Sequence, residues 1–116
     1  MLIQHVLVVV PVRDIGLARE WYERLLGRGP DNNPMDILVE WQLTDRGWLQ
    51  VTVDTARAGR AQVNLAVNDV TAAVSELAGR GVVAGEIVRA NKAVEFCPKE
   101  PDGNVVSLLG NFRIHY

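Results

Sequence analysis

Val10-Pro11-Val12-Arg13-Asp14 is answered 55 positions later by Leu65-Ala66-Val67-Asn68-Asp69. In both places a β-rich apolar run ends on an aspartate that opens a helical pattern, and an aspartate there accepts from the first free N–H groups of a helix. After Asp14, the residues Ile15, Ala18, Tyr22, Leu25 and Leu26 fall on one helical face, with Arg19, Glu20, Glu23 and Arg24 opposite, until Gly27 and Gly29 stop the run. After Asp69, Val70, Ala73, Val74, Leu77 and Ala78 form the corresponding stripe, ended by Gly79 and Gly81.

Working outward from these anchors, residues 6–10 read as a strand closed by Pro11. Residues 28–36 hold Gly29, Pro30, two Asn and Pro34, the composition of a loop or a very short edge strand. Strands over 37–43 and 48–53 flank Thr44-Asp45-Arg46-Gly47, which suits a tight hairpin, and 54–60 carries no pattern and reads as a linker. Past it come strands over 63–67, 84–89, 93–97 and 104–109. The order is therefore an internal repeat. It predicts an α+β fold in which two β-α-β-β-β modules form a curved mixed sheet with the helices on the outer face. One domain spans 1–116, as module one over 1–57 and module two over 58–116. The concave side is where a small ligand is expected to sit.

Composition narrows the function. The chain is 48% hydrophobic and 22% charged, an ordinary globular balance. Its net charge is −2, and its ten Arg are scattered from Arg13 to Arg113, so no phosphate-tracking surface, and no nucleic-acid partner, is expected. A single cysteine, Cys97, excludes an internal disulfide and a Cys-cluster zinc site and reads as a small apolar strand residue. The opening Met1-Leu2-Ile3-Gln4-His5 lacks a basic signal-peptide start, and the apolar run behind it is far shorter than the ~20 residues of a membrane helix. A soluble, cytoplasmic protein is the expectation.

Val12-Arg13-Asp14, Ala18 and Trp21-Tyr22-Glu23-Arg24-Leu25-Leu26-Gly27 resemble the opening block of the vicinal oxygen chelate superfamily, which includes glyoxalase I, extradiol dioxygenases and bleomycin resistance proteins. Glu100-Pro101-Asp102-Gly103-Asn104, followed by alternating apolar residues, resembles its closing block. The resemblance implies a homodimer with a ligand pocket in each concave sheet or between subunits. In metal-dependent members, it further implies a divalent cation held by His or Glu on the first, fourth, fifth and eighth strands. Counted from the matched blocks, those positions fall on Leu7, Gln50, Gln62 and Ser107. A transition metal needs imidazole, thiolate or carboxylate donors, so no metal and no cofactor are expected here.

Strand alternation places Leu7 and Val9, Trp48, Gln50 and Thr52, Gln62 and Asn64, and Val105, Ser107 and Leu109 on the concave face. That is an apolar floor with neutral hydrogen-bonding groups, suited to orienting a neutral ligand. Trp41 and Trp48 lie across the tight turn and read either as core or dimer contacts or as walls for a planar or glycosidic ligand. Trp21 reads as packing. Glu40 and Glu95, related by the same 55-residue shift, are either solvent-facing or turned inward as a cation contact or general base. No nucleophile stands beside a base, so no catalytic residue is assigned.

Three readings follow. The first is a metal-free small-molecule binder using Leu7, Trp41, Trp48, Gln50, Gln62, Asn64 and Ser107. A second is a metal-dependent lyase, isomerase or dioxygenase with displaced ligands, such as His5 with Glu40 or Glu95; His115, near the other end, reads as a surface residue. The third is a non-catalytic interaction module whose cavity is filled by side chains.

Overall fold

The computed structural model describes residues 1–82, 86–90 and 93–110, and of 86–90 and 93–97 only the backbone. The elements are β1 (Val6–Val12), α1 (Ile15–Leu26), β2 (Asn32–Met35), β3 (Leu38–Thr44), β4 (Gly47–Val53), β5 (Gln62–Val67), α2 (Val70–Gly79), β6 (Glu86–Ala90), β7 (Ala93–Cys97) and β8 (Val105–Gly110). The architecture is α+β, with the β-α-β-β-β order running twice. Each run forms its own four-stranded mixed sheet, in the orders β1-β4-β3-β2 and β5-β8-β7-β6. The first and last strand of each run pair in parallel and the others antiparallel. Among the described residues the two sheets share no strand pairing, and side chains and loops join them.

Both helices start as the sequence predicts. The Asp14 carboxylate accepts from Leu17 N–H and the Asp69 carboxylate from Ala72 N–H, each at 3.0 Å. Gly27 ends α1 in the left-handed region at φ 77°, donating back to the Glu23 carbonyl. The buried face of α1 is Ala18, Trp21, Tyr22 and Leu25, and of α2 Val70 and Leu77. These join Val10, Val12, Val39, Trp41, Leu49, Val51, Val63, Val106 and Leu108 in one hydrophobic core drawn from both runs.

The strand β1 continues through Pro11, where the sequence ended it. It is an edge strand. The Pro11 carbonyl points away from β4 to accept from Asn104 Nδ2 at 2.8 Å, so the missing N–H is on the unpaired side, where no ladder bond is lost. The short edge strand in 28–36 is β2.

The segment expected to be a patternless linker is an ordered turn. Arg57 N–H donates to the Asp54 carbonyl at 3.2 Å and Arg60 N–H to the Arg57 carbonyl at 3.1 Å, while Ala58 is buried. Gly59 adopts φ +84°, and a Cβ there would stand 2.4 Å from the Asp102 carbonyl oxygen. Only glycine fits that combination. No helix of the described residues is long and apolar enough to cross a membrane.

Candidate functional site

Strand alternation divides the first sheet into two chemically different faces. Val10, Val12, Val39, Trp41, Leu49 and Val51 face α1 and are buried. The opposite face is open around Leu7 and Val9 and closes at Pro11, which is buried. Its rows, read across the strands, are Leu7, Trp48 and Gln42; Val9, Gln50, Glu40 and Asn32; and Pro11, Thr52 and Leu38. Leu7 and Val9, on the edge strand β1, are 48% and 52% exposed and form a strip of aliphatic surface.

Polar order is built into the middle row. Gln50 Nε2 donates to Glu40 Oε2 at 2.5 Å, and Asn32 Nδ2 donates to Glu40 Oε1 at 3.4 Å. The loop leading to Asn32 is held by Asp31, whose carboxylate takes Arg28 Nη1 and the Gln42 N–H at 2.7 Å each. Those two donors keep the Asp31 carboxyl below its ordinary value. The face thus presents an apolar strip on β1 and, beside it, a fixed amide–carboxylate pair on β4 and β3.

The structure brings Leu7, Val9, Trp48 and Gln50 together on this face, and turns Glu40 toward them. Gln62 and Asn64 are exposed on β5 of the second sheet. Ser107 pairs in register with Asn64 but is fully buried, so it is not part of any open surface.

Trp41 belongs to the core, not to a ligand wall. It is 0% exposed, its Nε1 donates to the Arg28 carbonyl at 3.0 Å, and its ring lies 6.1 Å from that of Tyr22. Alternation along β3 sets this face: Val39 and Trp41 are buried and Leu43 packs against the same core, while Glu40 and Gln42 take the other side; the register, which shifts between Gln42 and Thr44, then places Trp41 opposite Leu49 and Glu40 opposite Gln50. Asn32 went unrecognised because its segment has no alternation, and only cross-strand register finds it.

The metal positions implied by the resemblance do not fit a metal. Leu7, Gln50, Gln62 and Ser107 offer no imidazole, thiolate or carboxylate. Among the described residues no three His, Cys, Asp or Glu side chains are grouped to hold an ion. His5 precedes β1 and lines a surface cleft with Asp45 and Arg46. It lies four residues before Val9, roughly 13 Å along the strand direction from the row containing Glu40. Glu95 pairs through its backbone with Val88 and Leu109, its side chain lying outside the described residues together with His115.

A second polar centre links the two runs. The Glu100 carboxylate is 6% exposed and accepts from the Tyr22 hydroxyl at 3.1 Å, from Asp102 N–H and from Asn104 Nδ2. Asn104 also accepts from Ala61 N–H at 2.9 Å. Arg13 pairs with Asp102 at 3.1 Å. The segment from Glu100 to Asn104 is therefore a structural clasp around β1 and α1.

No protein-family model and no curated protein matches the chain. Among solved structures, a glyoxalase/bleomycin resistance protein from Catenulispora acidiphila DSM 44928 is 31% identical over 91% of this chain and 96% of its own, with a TM-score of 0.86. TnmS3, an antibiotic binding protein from Streptomyces sp. CB03234, is 24% identical over 93% of this chain and 96% of its own, with a TM-score of 0.70. A glyoxalase-related enzyme from Fulvimarina pelagi is 15% identical over 95% of this chain and 89% of its own, at 0.72. The repeated module, the two sequence blocks and these likenesses agree: the chain belongs to the glyoxalase/bleomycin resistance proteins of the vicinal oxygen chelate superfamily.

Proposed function

We propose that this protein binds a small organic molecule on the open face of its first sheet without the help of a metal. The observation that carries the reading is the row Val9, Gln50 and Glu40. Exposed aliphatic surface lies beside a pre-oriented hydrogen-bonding pair, and apolar contact with a few fixed polar groups is how small-molecule sites combine affinity with orientation. Trp48, partly exposed in the neighbouring row, adds a flat wall. The donor chemistry at the positions other members use for metal supports binding without one. That TnmS3, with the same fold, is an antibiotic binding protein supports a small-molecule ligand.

The same surface supports a homodimer. Met1, Leu2 and Ile3 are largely exposed ahead of β1, and a symmetric second copy would cover them together with part of the open face. A light-scattering mass of two chains is expected, and a monomer at micromolar concentration would contradict it.

The binding reading is tested with N-phenyl-1-naphthylamine, a neutral apolar dye that fluoresces when removed from water. Saturable uptake that is abolished by Val9→Asp and retained by Leu17→Asp, an exposed position on α1, is the expected result. Equal uptake by both variants would refute the assignment of this face.

A further inference from the structure

Val9 and Pro11 also line a cleft of about 460 Å³ whose other walls are Asp54, Arg57, Arg60 and Ala61. Its charge is unbalanced. Asp54 is engaged by Arg57, with its Oδ2 3.6 Å from the guanidinium and its Oδ1 accepting the Arg57 N–H at 3.3 Å. Arg60 has no carboxylate partner among the described residues, so two guanidiniums face one carboxylate.

The arginines are not on a loose loop. Asp54 N–H donates to the Val12 carbonyl at 3.0 Å, Ala58 is buried between the two arginines in sequence, and Gly59 is wedged against the Asp102 backbone. Arg57 and Arg60 are thus presented on a backbone turn already ordered, so that on binding only their side chains have freedom to lose. Val9 belongs both to this cleft and to the open face, so one ligand can span the two.

We propose that the cleft is an anion subsite, in which Arg60, with Arg57, takes the acidic group of a ligand whose apolar body lies over Val9. The class is a carboxylate, sulfonate or phosphate monoester on an apolar skeleton, because a guanidinium fork matches the paired oxygens of such groups. This deepens the binding reading above and rests on it.

The test uses two dyes that share one skeleton. 8-Anilinonaphthalene-1-sulfonate is N-phenyl-1-naphthylamine carrying a sulfonate, so the pair isolates the acidic group. At low salt the anionic dye is expected to bind about fivefold or more tightly than the neutral one, an advantage of the size exposed charge pairs give. Arg60→Gln and the Arg57→Gln/Arg60→Gln double variant should remove that advantage while the neutral dye binds within about twofold of the parent, and added salt should erode it. Anionic-dye affinity unchanged in the double variant, with neutral-dye binding intact, would overturn the subsite alone. Failure of both dyes to bind the parent protein would overturn the subsite and the binding reading together.

Discussion

The Tyr22 hydroxyl donates to the Glu100 carboxylate at 3.1 Å across 78 residues of sequence, in a setting from which water is excluded. Through this bond α1 is tied to the segment before β8, while Asn104 ties that segment to β1. Removing the hydroxyl leaves a buried carboxylate short of one donor. Tyr22→Phe should therefore cost about 1–3 kcal/mol in urea unfolding, although the ring's packing is unchanged. A change below about 0.3 kcal/mol would show that the bond contributes nothing net.

Glu100 also predicts a pH dependence. Burial pushes its carboxyl above the ordinary value against three donors that pull it down. Between the unfolded and folded values the native state holds more protons than the unfolded state. Stability from this group is thus full below the unfolded value of 4.5 and is lost as pH rises through the folded one. The advantage of the parent over Glu100→Gln, followed by urea unfolding, should shrink as pH rises from about 4 to 7. An advantage that grows over that range would reverse the sign and disprove the account.

Gly59→Ala should destabilise by about 2 kcal/mol or more, since the added Cβ meets backbone and the residue keeps a positive φ. Gly79→Ala is the control: it lies in α2 with nothing near the added Cβ, and should be neutral or stabilising. Equal effects of the two substitutions in thermal melts would contradict the close packing at residue 59.

Trp41 and Trp48 should separate cleanly. Trp41→Ala removes a fully buried ring and should cost about 3–5 kcal/mol. Trp48→Ala, on the open face, should cost roughly 1 kcal/mol and weaken uptake of the neutral dye. Dye affinity that is unaffected by Trp48→Ala would remove this side chain from the site.

The contrast between these tryptophans also marks where sequence reading succeeds. Asp14, Asp69 and the stripes behind them specify the helices by local chemistry, and the 55-residue repeat carries the topology. Leu7, Trp48 and Gln50 follow from alternation along single strands. The face of Trp41 follows too, since Val39, Trp41 and Leu43 alternate with Glu40 and Gln42, but its place opposite Leu49 depends on the shift between Gln42 and Thr44, which nothing in the residue types announces. The turn holding Arg57 and Arg60 was equally hidden: its order comes from the Asp102 backbone, more than forty residues away. Ser107 has the right parity but is covered, and burial is a property of the whole fold.

Metal-independent binding at the open face is tested most directly by titrating N-phenyl-1-naphthylamine into chelator-treated protein, before and after adding Ni²⁺, Zn²⁺, Fe²⁺ or Mn²⁺. The account predicts saturable binding to the chelator-treated protein, unchanged by any of the four ions and lost in Val9→Asp. Binding that appears only with a stoichiometric ion, or survives Val9→Asp undiminished, would contradict it.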